Sequence, residues 1–462
     1  MSGKTRCFMD PVLFSPFEAG ANRFEPPFRI DQAGVRESCT LIVLSHHHGD
    51  HFCPRSLNVF RRSCPVVYPR GAHLLERALS RLGFELRFPI DPGGRLEIEG
   101  LTLTATGSRA SFPEMGMLFA ADGKLFWNVV DCVLDEGIIG AARTAGRPDL
   151  LFANYQPLIE TELQEDALGA PFPFVTYGDY LRHVWTIRPR CVVPSSYGAG
   201  YTEEWLNQRG VPMTAKQFAD DLAQIDPDLL ILQVPPGGVI DLGGQPRLEP
   251  TSLSFVTPLA PESFPGASAS SPGARASSPV APASSPEHLS QDWRPDLGVP
   301  PLLDRNPLGF AVDELRSQVD NLLGKSFLQK LAGADPVWLE KLARLRVLWR
   351  LEIVYPGGAE TRLLDFARTP FEWTPPRGEV FAKIHTSVTA SALVALEAAL
   401  INRYAVNFNQ LRMVNRLYEV HRDGVSWAGG REDEPITRVL LKGADDRYVD
   451  RQIAEILAQQ SA

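Results

Sequence analysis

Short apolar runs alternate with segments of helical spacing through the first 250 residues. Residues 40–44 (Thr-Leu-Ile-Val-Leu) form a continuous apolar run, the pattern of a strand covered on both faces. Residues 65–68, 124–130, 150–153 and 191–193 repeat it. Between the first two, residues 72–82 place Leu74, Leu75, Ala78, Leu79 and Leu82 on one side of a helix. Strands alternating with helices predict an α/β layered fold.

The pattern breaks after residue 257. Residues 258–299 are rich in Pro, Ala and Ser and carry little to bury, which predicts a flexible linker. A second unit is expected over 300–462. Leu315, Val319, Leu322 and Leu323 mark one helical stripe, and Trp338, Leu342 and Leu345 another. Residues 347–356 read as a strand that ends in a Pro-Gly-Gly turn. Residues 386–404 read as a helix with Leu393, Val394, Leu396 and Leu400 on its apolar side. Residues 444–459 close the chain as a helix with Val449, Ile453 and Ile456 on one face. This half reads as α+β.

Composition narrows the class. The chain has 462 residues, enough for two or three domains, and its 44% hydrophobic content suits a globular protein. A net charge of -9 argues against a broad nucleic-acid surface. No apolar run approaches the ~20 residues needed to cross a bilayer, and residues 1–10 lack the apolar core of a secretory signal. A cytoplasmic protein without membrane or nucleic-acid partners is expected. The six cysteines form no CxxC or Cys-x-His pair, which argues against a zinc ribbon, a Rieske centre or a thioredoxin-like site.

The chemistry concentrates directly after the first buried strand, in His46-x-His48-x-Asp50-His51. A chain leaving a strand in a tight turn can aim several side chains at one point. Gly49 is expected to supply unusual backbone angles there. Neutral imidazoles and a carboxylate suit Zn, Fe or Mn. His46 and His48 alternate and point the same way on extended backbone. Asp50 and His51 can serve a second ion nearby, and His47 falls off register. Asp131 emerges at the end of the apolar strand over 124–130, where sites in α/β sheets gather, and a carboxylate there can bridge two cations. The remaining histidines (His73, His183, His288, His385 and His421) are expected to be structural or exposed.

The motif His46-x-His48-x-Asp50-His51 resembles the metallo-β-lactamase superfamily signature. A longer series is similar to CMP-N-acetylneuraminate hydroxylases. It runs through Phe112-Pro113-Glu114-Met115, Asn128-Val129-Val130-Asp131-Cys132, residues 197–203 and residues 235–243, and continues in Leu364-Asp365-Phe366 and residues 383–388. The superfamily resemblance implies an αββα sandwich, here followed by the α+β unit. The hydroxylase resemblance implies two iron ions, O2 as co-substrate and electrons from an external redox protein. Three departures matter: the N-terminal Rieske domain of that family is not expected here, so a partner protein would have to deliver electrons, and two ligand positions differ. The position before Pro113 is Phe112 where that family has histidine, and Ser196 stands where most superfamily hydrolases have a late histidine. The remaining set (His46, His48, Asp50, His51 and Asp131, with Glu114 as a further ligand) is richer in carboxylate. Such a set suits non-haem iron. Tyr197 and Tyr201 are candidates to line the site.

Three functions follow. The first is an oxygenase, with iron and an electron-transfer partner, acting on a small polar metabolite. The second is a dizinc hydrolase of a phosphoester, lactone or amide. The third is a binding module with a degraded metal site. No phosphate-cradling glycine loop marks a nucleotide pocket. The helices and the Pro-Gly-Gly strand of the second unit faintly resemble sterol-carrier-like domains.

Overall fold

The computed structural model describes residues 5–157, 174–195, 199–202, 214–259, 301–376, 378, 382–403, 405, 413–417, 420–422, 425–427 and 433–461. The linker expected over 258–299 falls outside the described residues beyond Leu259.

Two sheets face each other in the first half. One is parallel throughout, in the order β1 (Cys7–Met9), β2 (Leu41–Val43), β3 (Val66–Pro69) and β4 (Arg87–Ile90). The other has seven strands in chain order: β5 (Arg95–Ile98), β6 (Leu101–Thr106), β7 (Gly116–Ala121), β8 (Lys124–Asn128), β9 (Leu150–Asn154), β10 (Cys191–Ser195) and β11 (Leu230–Ile231). Its first four strands pair antiparallel and the rest parallel.

Alternation along β2 explains the layering. Leu41 and Val43 point between the sheets, where they pack with Val67, Leu103, Met115 and Met117. Ile42 and Leu44 point the other way, toward α1 (Gln32–Ser38), α2 (Pro54–Leu57) and α3 (His73–Arg81), with Leu57, Leu75 and Leu79. Behind the second sheet, Trp127, Leu151 and Val192 pack on α4 (Glu136–Arg143), α5 (Phe174–Ile187) and α6 (Ala215–Ile225). Helices therefore cover both outer faces, and the first half is the expected αββα sandwich.

The second half adds α7 (Val312–Asn321), α8 (Phe327–Ala332), α9 (Pro336–Arg344), α10 (Ala390–Glu397) and a mixed sheet. The sheet runs β13 (Gly358–Asp365), β12 (Leu348–Tyr355), β14 (Ile384–Thr389) and β15 (Met413–Leu417). Trp349, Leu351 and Ile353 alternate into a core shared with Phe327, Leu342 and Leu393. The helix expected from residue 386 starts at Ala390 instead. Thr386, Val388 and Thr389 are β-branched, and this stretch pairs parallel with β12. Thr389 then caps α10 by accepting from Ala392 N–H.

The last helix, α11 (Ala444–Ser461), returns to the sandwich. Val449, Ile453 and Ile456 bury against the core beneath α2 and α3. Arg77 and Arg81 of α3 pair with Asp446 and Asp450, each at 2.5 Å. No helix among the described residues is long and apolar enough to cross a membrane.

Ile453 is fully buried in that seam. Ile453→Ala is expected to lower stability by about 2–4 kcal/mol in chemical denaturation. A loss below about 0.5 kcal/mol would show that α11 is not docked there.

Candidate metal centre

The loop after β2 is anchored by Asp10, the first residue past β1. Its carboxylate accepts from Ser45 N–H and from the Ser45 hydroxyl, each at 2.7 Å. The same carboxylate lies 3.1 Å from His51 Nδ1. Asp10 N–H donates to Val43 carbonyl at 2.9 Å, locking the ends of the two strands together. The backbone of Asp10 is left-handed (φ 47°), a conformation that Asp tolerates better than most residues.

The turn itself closes through His51 N–H and Phe52 N–H, which both donate to His48 carbonyl. Gly49 serves a different purpose from the one its sequence suggests. It has no positive φ; instead, a Cβ there would lie 2.9 Å from Glu18 Cγ. Close packing on buried Glu18, whose carboxylate accepts from Asn22 Nδ2 at 2.5 Å, is what demands glycine.

This turn gathers His46, Asp50 and His51 so that one ligand atom from each lies within 4.8 Å of the others. Asp131 joins from the other sheet, its carboxylate 3.0 Å from His51 Nε2, while Asp50 is 3.5 Å from the same atom. Strand β8 stops at Asn128, and the left-handed Val130 (φ 53°) turns the chain to deliver Asp131. His48 is adjacent, its ring centroid 4.5 Å from that of His46, yet it lies outside the three-residue cluster. Glu114 is buried, accepts from Ser108 Oγ and approaches His46 Nδ1 at 3.8 Å. It therefore stands behind His46, on the ring nitrogen that also meets Ser45 Oγ at 2.9 Å.

Phe112 occupies the space beside the histidines. Its ring lies 4.6 Å from His48, 5.3 Å from His47 and 5.7 Å from His46. Where a further imidazole is expected, the wall is apolar. Ser196 and Tyr197 fall outside the described residues. Tyr201 lies on the short strand Ala199–Tyr201, which pairs with Asn22–Phe24.

The electrostatics suit a cation. Burial, followed by the neighbouring histidines, drives His46 well below the ordinary imidazole range and His48 down to about 3, so both rings are neutral near pH 7. His51 goes the other way. Burial opposes its charge, but Asp50 and Asp131, reinforced by contacts with Asp10 and Asp131, outweigh burial and raise it well above the usual value. Burial also raises Asp50 and Glu114. The Asp50 side chain keeps an outlet to solvent at 42% exposure, and Asp131 at 38%. The site therefore opens on its carboxylate side. His46 Nε2 is buried and makes no hydrogen bond among the described residues, as a nitrogen meant for a metal would. These residues fit a cation.

Asp10, Glu18 and Ser108 escape a reading based on ligand spacing. For Asp10 a signal exists: an acidic residue directly follows the apolar Cys-Phe-Met run, as Asp50 follows β2 closely.

No family model matches the chain, and no curated protein is similar to it in sequence. Solved structures are similar in part. One is a "possible metal-dependent hydrolase" from Veillonella parvula (16% identity, TM-score 0.37, covering 50% of this chain and 91% of that one). Another is CmlA, a diiron β-hydroxylase from Streptomyces venezuelae (16%, 0.35, 50% and 49%). A third is the metallo-β-lactamase fold protein YhfI from Bacillus subtilis (11%, 0.32, 43% and 76%).

Because His51 holds a proton where a cation would sit, metal uptake must displace it. Affinity for Zn(II) or Fe(II) is expected to rise with pH through the neutral range, with proton release in calorimetry; a flat profile contradicts this. Asp10→Ala is expected to weaken metal binding by about 10–100-fold, the usual cost of losing an orienting partner. Unchanged affinity in an equilibrium metal competition would remove Asp10 from the site.

Proposed function

We propose that this chain is a metal-dependent enzyme whose ion is held by His46, Asp50 and His51, with Asp131 beside it. We assign it to the non-haem iron oxygenases, acting on a small polar metabolite with electrons from an external redox protein. The observation that supports this reading is the two-histidine, one-carboxylate cluster within 4.8 Å, bordered by Phe112 in place of another imidazole. Such a mixed set with open positions suits Fe(II) better than the histidine-rich environment of a dizinc hydrolase.

Iron bound here supplies the redox chemistry toward O2 and substrate. The chain's own groups do the rest. Asp10 fixes the His51 ring so that Nε2 faces Asp50 and Asp131. Glu114 and Ser45 occupy the Nδ1 side of His46 and leave Nε2 for the ion. Phe112 packs on the His48 ring, while the exposed edges of Asp50 and Asp131 leave an approach for substrate. His48 and Asp131 are the residues that a second ion would use.

A hydrolytic reading draws on Asp131, which is open to solvent and 3.0 Å from His51 Nε2, and so placed to orient a water. Elemental analysis of protein purified without chelator, followed by anaerobic Fe(II) addition and exposure to O2, separates the two. Iron bound at one or two per chain with an O2-dependent optical change is expected. His51→Ala and Asp50→Ala should each cut occupancy at least tenfold. Zinc alone, with no iron uptake and no O2 response, would transfer the assignment to the hydrolase.

A further inference from the structure

A cleft of about 740 Å3 lies between the metal-loop edge of the sandwich and the C-terminal unit. That volume falls in the roughly 300–1,000 Å3 range of small-molecule sites. The sandwich contributes His47, His73 and Pro113 to its wall; the C-terminal unit contributes Lys330, Arg403, Arg438 and Lys442.

The charges on the wall do not cancel. Three carboxylates line the cleft, and each already faces an arginine. Asp335 meets Arg438 at 2.9 Å, Asp445 meets Arg403 at 3.4 Å, and Asp446 meets Arg77 at 2.5 Å. Lys330 is answered by Glu397, from outside the lining, at 3.3 Å. Lys442 is exposed and has no ion pair among the described residues. Its neighbour Gly443 adopts φ 72°, turning the chain into α11 and leaving Lys442 at the rim. His73 and His47 add polar ring nitrogens from the opposite wall.

We propose that this cleft binds an oxyanion group, carboxylate or phosphate, of a small molecule, with Lys442 as its cation and His73 and His47 as hydrogen-bonding partners. The cleft borders the metal cluster. His47 sits between His46 and His48 in the chain, and its ring packs on Phe112, which also packs on His48. A molecule lodged here rests against the wall of the metal centre. The identification of that molecule as the substrate rests on the metal-dependent reading above; the anion site does not.

The test is calorimetric titration of the full chain, stripped of metal, with inorganic phosphate and separately with succinate at low ionic strength. Saturable one-to-one binding of at least one anion is expected. Lys442→Glu should weaken it at least tenfold and His73→Ala at least threefold. Arg247→Glu, at a 69% exposed position away from the cleft lining, should leave it unchanged. Lys442→Gln, which removes the charge alone, serves if the Glu variant does not fold. Failure of both anions to saturate, or equal affinity in wild type and the folded Lys442 variant, overturns the proposal. Metal content measured on the same samples keeps the two readings apart: anion binding without metal uptake retains the cleft and removes the metal assignment.

Discussion

Everything at the candidate centre depends on one partly buried carboxylate. Asp10 accepts from the backbone and the hydroxyl of Ser45 and contacts the His51 ring, so it fixes both ends of the seven-residue turn that carries the ligands. A turn of this kind, held at only one end, would leave three polar side chains free to sample many rotamers. With both ends held, the imidazoles and carboxylates stay together despite the cost of burying them.

The fold supplies that carboxylate by topology. Strands β1 and β2 are parallel neighbours, so their C-terminal ends emerge side by side, and Asp10 meets Ser45 without any long connection. The second sheet contributes Asp131 from the same edge. Beneath the turn, Glu18 packs on Gly49, and α11 crosses from the C-terminal unit to bury against α2 and α3. The distant end of the chain therefore helps to brace the layer on which the metal loop rests.

Much of this was legible in the sequence. The apolar runs at 40–44, 124–130 and 150–153 marked central strands because both of their faces are covered. The ligand spacing marked the loop because a strand end followed by a sharp turn is a local device. The roles of Gly49 and residues 386–389 were not legible. Gly49 answers to Glu18, thirty-one positions away in the chain, and a local reading assigns it to backbone freedom instead. Residues 386–389 read as helix because of the strong helix that follows, but pairing with β12 overrides that propensity. Asp10 is not legible as part of the site because its partners lie 35 and 41 residues on, and only the parallel pairing of two three-residue strands brings them together.

The most direct test is anomalous diffraction at the iron edge from crystals grown anaerobically with Fe(II). A peak bounded by His46 Nε2, the Asp50 carboxylate and His51 Nε2 is expected, with Asp10 still on His51 Nδ1. A peak held by other residues, or none at this turn in fully ordered density, would contradict it.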